Sequence, residues 1–188
     1  MDKAYKLGRS LNHLRSNEDC DVWQVGKKLE EKIDLFWNLE PIEKFPSYKF
    51  EGKLEKRLSW LDYPAAYFNY PIVSKKMVNI LLLVGQFQHQ TIPLEIYDWK
   101  SEEKTDDFVF LHLLECIDAI DFDKSIYYGE DIAPEDIQQF ALKEPEKGYP
   151  PLFRVKGDEF WWFISTEAKE ALEAANIKGV RFIPLIAS

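Results

Sequence analysis

No zinc-ligand spacing, glycine-rich phosphate loop or dinucleotide fingerprint occurs in the 188 residues. Those absences remove the common cofactor-dependent classes, and no cofactor is expected. Cysteine is scarce: Cys20 and Cys116 are the only two, too few for a disulfide scaffold. Cys116 lies in an apolar run and reads as a buried thiol rather than a metal ligand. The longest apolar stretch, Met77 to Val84, falls far short of the roughly 20 residues that span a bilayer. The opening residues Met1 to Lys6 lack the apolar core of a signal peptide. A cytoplasmic protein without membrane contact is the expectation. The three histidines, His13, His89 and His112, are widely separated and show no paired ligand spacing. His112, inside an apolar run, reads as a core or half-buried histidine.

What is present is a packed globule. Hydrophobic residues make up 46% of the chain and aromatics 15%, which excludes disorder. A chain of this length supports one well-buried core, so a single domain over residues 1–188 is expected. Residues 1–60 form its least legible subregion. There Val22–Val25 alternates as a strand, Lys27–Trp37 has helical spacing through Leu29, Ile33 and Phe36, and Lys49–Leu54 suits another strand.

One phrase occurs twice, ninety-one residues apart and without a gap. Val73-Ser74, Leu81, Gly85 and Ile92-Pro93-Leu94 recur as Ile164-Ser165, Leu172, Asn176 and Ile183-Pro184-Leu185. Each copy reads as strand, N-cap serine, helix, C-cap, strand. The serine hydroxyl accepts an orphan N–H of the first turn, and Gly85 and Asn176 suit a left-handed C′ position. Proline cannot donate to a ladder, so each second strand belongs at an edge or points that position away from its neighbour. The first helix is apolar on nearly all faces and is expected to be largely buried. The second is amphipathic, with Ala168, Ala171, Leu172 and Ala175 inward. The repeat reads either as a duplication or as two independent uses of common caps. The fold class that follows is α+β, with a mixed sheet and a repeated strand-helix-strand unit at about 72–97 and 160–186.

Between the copies, Ser101–Asp107 reads as an acidic turn and Phe108–Ile117 as one long strand central to a sheet. Ile132–Leu142 suits a short helix after Pro134 or a strand around Gln138–Leu142. Leu152–Val155 and Glu159–Ile164 read as strands. Ser165, between strand and helix, lacks the flanking glycines of a nucleophile elbow and reads as a cap.

Net charge is −9, and residues 101–158 alone carry 15 acidic against 6 basic residues. Such a surface repels nucleic acid and anionic membranes and steers a basic partner, unless it is only a solvated face. Its candidate contacts are Glu102, Glu103, Asp106, Asp107, Glu130, Asp131, Glu135 and Asp136. Two alternatives stand beside it. Asp118, Asp121 and Asp123 form the one plausible metal or acid/base cluster, without the glycine and terminal glutamate of a calcium loop. Tyr63, Tyr67, Phe68, Trp161 and Trp162 are surplus aromatics that a small-ligand-binding module would use.

Pro71-Ile72-Val73-Ser74, Leu113 through Ser125, Leu152-Phe153-Arg154-Val155 and Phe163 through Leu185 resemble immunity protein family eleven of bacterial polymorphic toxin systems. The resemblance runs over roughly residues 60–186 and rests on caps, turns and strand ends. It implies a small cytoplasmic protein, not an enzyme, that binds and blocks a cognate secreted toxin. Where that toxin is a nuclease with a basic surface, the resemblance implies that residues 101–158 take the place of nucleic acid. It specifies neither the toxin nor an oligomeric state.

Overall fold

The computed structural model describes residues 4–9, 22–25, 33–36, 38–44, 49–52, 61–64, 71–98, 103–128 and 137–186. In chain order the strands begin with β1 (Ala4–Arg9), β2 (Val22–Val25) and β3 (Lys49–Gly52), with a 3-10 turn at Ile33–Phe36. Then come β4 (Ile72–Ser74), helix α1 (Lys75–Val84), β5 (His89–Asp98), β6 (Lys104–Leu113) and β7 (Cys116–Ile117). The chain continues through β8 (Ile126–Tyr127), β9 (Ile137–Gln139), β10 (Leu152–Val155), β11 (Asp158–Ser165), α2 (Thr166–Ala174) and β12 (Val180–Pro184). Two five-stranded mixed sheets result, ordered β12-β1-β11-β10-β7 and β2-β3-β5-β6-β4, with β8 and β9 as a separate pair.

The two copies of the phrase adopt one connectivity. β4 and β5 both pair antiparallel with β6, and β11 and β12 both pair antiparallel with β1. Each unit is therefore two like-directed strands joined by a helix and separated by one strand borrowed from elsewhere. Each helix lies against its own first strand and the borrowed strand, and the two helices lie against each other. Val73, Met77, Leu81, Val109 and Leu111 from one unit share a core with Leu7, Trp162, Ile164, Ala168 and Leu172 from the other. A second core, with Ala119, Ile120, Phe140, Phe153 and Phe163, covers the opposite face of the first sheet.

Both serines cap as the sequence predicts. Ser74 Oγ accepts the Met77 N–H at 3.0 Å, and Ser165 Oγ accepts the Ala168 N–H at 3.2 Å. The C-termini diverge. Asn176 takes φ 55°, and the bonds from Ile177 N to Leu172 O and from Asn176 N to Glu173 O close a Schellman motif. Gly85 is instead extended, with φ 174° and ψ 175°. Its lack of a side chain serves a close approach, since a Cβ there would meet Pro151 Cγ at 3.2 Å.

Several expectations shift. α1 is not largely buried: Met77, Val78 and Leu81 are, but Leu83 is 87% exposed, because only one stripe meets α2 and the sheet. In α2, Ala168 and Leu172 are buried while Ala171 and Ala175 are only partly covered. The apolar run 108–117 is not one strand. β6 begins inside the acidic segment at Lys104, ends at Leu113 and lies second from a sheet edge, while β7 joins the other sheet beside β10. β12 is an edge strand, as Pro184 requires. β5 is interior, and Pro93 is accommodated because β3 pairs with β5 only from Ile96 onward. Within 132–142 the described residues form β9, while any helix after Pro134 falls outside them. β1 went unrecognised in the sequence, although it is the strand between both arms of the second unit. Of the expected helix at 27–37, the 3-10 turn alone lies within the described residues.

Candidate partner-binding surface

β6 presents Glu103 just before its start and Asp106 and Asp107 in its first half, all exposed. Alternation along a strand cannot hide adjacent carboxylates, so this end of β6 stays in water while Phe108 to Leu113 is buried. Lys75 Nζ lies 3.2 Å from Asp106 Oδ2, and Thr105 Oγ1 donates to Asp107 Oδ2 at 3.0 Å. Lys104 pairs with Glu95 at 2.7 Å on the neighbouring strand. Such exposed pairs contribute little stability and exchange readily for a partner's cations. Glu102, Glu130, Asp131, Glu135 and Asp136 lie outside the described residues. The acidic segment does not stay on one sheet. It crosses between Leu113 and Cys116, placing exposed Glu115, Asp118, Asp123, Glu144 and Glu146 with the other sheet and the β8–β9 pair.

Asp118, Asp121 and Asp123 do not converge as a metal site: among the described residues no three or more His, Cys, Asp or Glu side chains are placed to hold an ion. Asp118 and Asp123 face solvent, whereas Asp121 is buried and closes a turn. Ser125 N donates to the Asp121 carbonyl at 2.9 Å, Ser125 Oγ donates to it at 2.8 Å, and Lys124 Nζ lies 3.7 Å from Asp121 Oδ2.

The aromatic set is likewise split. Tyr63 and Trp162 stack at 5.5 Å inside the core, with the Arg9 guanidinium 4.6 Å above the Tyr63 ring. Trp161 points to the other face of β11, under Lys6 Nζ at 3.4 Å. Tyr67 and Phe68 lie outside the described residues. Tyr63 and Trp162 thus fill the core while Trp161 stays exposed, and the set does not come together as one group.

Buried polar groups go to structural tethers. Arg154 is fully buried and donates from Nη2 to the Phe36 carbonyl at 2.6 Å. His112, also fully buried, lies with Nε2 2.9 Å from the Glu40 carbonyl. His89 Nδ1 lies 2.9 Å from the Phe87 carbonyl, and its ring stacks on Phe87. Cys116 is half-buried, and burial above all pushes its thiol up to about 11. At neutral pH it is a protonated thiol, poor as nucleophile or ligand. Cys20 and His13 lie outside the described residues.

Sequence reasoning missed Asp62, which joins the two repeated units. Its Oδ1 accepts the Ser74 hydroxyl at 2.6 Å, and its Oδ2 accepts the Lys178 N–H at 2.9 Å. Asp62 N also donates to the Lys178 carbonyl at 2.8 Å. Gly179 follows at φ +84°, where a Cβ would stand 2.7 Å from the Tyr63 carbonyl oxygen. No periodic signal marks such a link, because Asp62 and Lys178 lie 116 residues apart in sequence.

No helix among the described residues is long and apolar enough to cross a membrane. The described groups thus supply caps, tethers and a divided acidic surface. A model of a known family matches residues 13–187, nearly the whole chain and well beyond the segments that carried the resemblance. That family is described as Immunity protein family (Imm11), and the chain belongs to it. No curated protein sequence matches the chain.

Proposed function

We propose, from membership of the immunity protein family (Imm11), that this chain binds a cognate secreted toxin and neutralises it by occupying its surface rather than by catalysis. The single observation that carries the reading is the family match over residues 13–187. Immunity by occlusion requires shape and charge, not a nucleophile or a metal. It takes place in the cytoplasm of the cell that makes the toxin.

The partner is a protein whose active face is basic, as a nuclease's is, rather than nucleic acid or membrane. The concentration of 15 acidic residues in 101–158 supports that choice. Carboxylates arranged on a folded surface imitate the charge of a phosphate backbone and accelerate encounter with a basic groove. Glu102, Glu103, Asp106, Asp107, Glu130, Asp131, Glu135 and Asp136 are the proposed contacts.

Co-expression tests the reading. The toxin domain encoded beside this gene is expected to stop growth of a host cell when produced alone. Growth is expected to return when this chain is produced with it, and the two should co-purify at a fixed stoichiometry. Undiminished toxicity together with no detectable complex would sink the proposal.

A further inference from the structure

Seven large apolar side chains are notably exposed among the described residues, and three of them fall within one seven-residue stretch. They are Phe122 at 37%, Ile126 at 46% and Tyr128 at 75% exposure. A single exposed leucine or tyrosine is ordinary, but a local group rimmed by charge marks an interaction surface. Ile126 and Tyr128 are both exposed, while Tyr127 between them packs against the second core.

The group is also held rigid. The turn leading into β8 is closed by Ser125, whose Oγ donates to the Asp121 carbonyl and accepts the Ala141 N–H at 3.0 Å. Asp121 N donates to the Ala141 carbonyl at 2.8 Å, and Tyr127 Oη donates to the Phe122 carbonyl at 3.0 Å. Side chains on a frame fixed by four hydrogen bonds lose little further freedom when a partner covers them.

The charge around this group has one dominant sign. Asp118 and Asp123 are exposed on the turn. Lys124 is directed to the Asp121 carboxylate. Burial, with the fields of Asp123 and Asp121 adding to it, raises the Tyr127 phenol above its ordinary value.

We infer that Phe122, Ile126 and Tyr128 form the apolar anchor of the toxin-binding surface, seated in a pocket of a toxin domain whose surrounding surface is basic. The inference rests on the immunity reading and sharpens it. It places the centre of contact at the β8 turn rather than on β6, where Glu103, Asp106 and Asp107 belong to the other sheet. Aromatic anchors within a polar rim carry most of an interface's affinity and act chiefly on dissociation, whereas rim charges act on association.

The test uses the full chain and the adjacent gene's toxin domain, inactivated at its active site, with binding kinetics measured for each variant. Tyr128→Ala alone, and together with Ile126→Ser, is expected to weaken binding by about tenfold or more through faster dissociation. The association rate should change by less than about threefold. Leu83→Ser, exposed on α1, should leave both rates unchanged, and the thermal midpoints of all variants should match the parent. If the parent binds and the double variant binds equally well, the anchor lies elsewhere while the immunity reading stands. If the parent does not bind, the immunity reading fails and takes this inference with it. A parent dimer that the double variant converts to monomers, with toxin affinity intact, would assign the patch to self-association and overturn the inference.

Discussion

His112 occupies a fully buried position on β6 beside the Phe36 ring, 5.7 Å between centroids in an edge arrangement. A carbonyl only accepts, so the contact with Glu40 requires the proton on Nε2. Charging the ring would place a second N–H in that buried setting. Burial holds its pKa below the ordinary 6.5, and the Arg154 charge adds to this against the opposing pull of the Glu40 and Phe36 carbonyls. The folded state therefore binds the proton less well than the unfolded chain. The stabilisation is fully present above about pH 6.5, the unfolded value, and is lost as pH falls toward the lower folded value. Urea midpoints of the parent should drop between pH 7.5 and 5.5. His112→Gln, which keeps a neutral donor for Glu40, should drop less over the same interval. Equal drops would assign the acid sensitivity to other groups. From sequence His112 reads as a core or half-buried histidine, since a lone polar residue in an apolar strand announces burial. Its partner seventy-two residues away could not be read, nor could that of Arg154 at 118.

At the scale of elements, legibility follows the range of the interaction. Ser74 and Ser165 were readable because cap and recipient are three residues apart. The Asn176 turn was readable for the same reason. Gly85 was misread because what it answers to is Pro151, a distant contact that happens to want the same residue. The borrowed strands β6 and β1 come from outside the repeated phrase, so the phrase gave two units without the sheets that complete them. The Asp62 link separates the two caps energetically. Ser165→Ala should cost about 1 kcal/mol, the ordinary loss of an N-cap. Ser74→Ala should cost more, about 2 kcal/mol, because it also removes the donor to Asp62 Oδ1 and loosens the tie to Lys178. Asp62→Ala combined with Ser74→Ala should cost less than the two single losses together, since they share that bond. Denaturant unfolding of the four variants reads this directly. Equal losses from the two serines would mean that the Asp62 bond contributes nothing.

At the scale of the whole molecule, the charge of −9 acts before any contact forms. Exposed carboxylates on two sheets raise the local concentration of a basic partner over a distance set by salt, about 10 Å at 0.1 M and about 3 Å at 1 M. Composition made the acidity legible, but its division between sheets came only with the crossing from β6 to β7. That division permits a separation of roles. Glu103, Asp106 and Asp107 lie at the start of β6, in a different sheet from β8, and are suited to steering rather than anchoring. Replacing all three with lysine should slow association with the toxin domain by about tenfold at low salt. It should also flatten the dependence of that rate on ionic strength and leave dissociation nearly unchanged. The fold should tolerate the change, because these side chains stand in water and their pairs with Lys75 and Thr105 are exposed. Association measured from 0.05 to 0.5 M salt separates the cases. A parent rate that does not vary with salt would mean the acidity only keeps the protein soluble. A salt-dependent parent with an unchanged triple variant would assign the steering to the carboxylates that follow Tyr128.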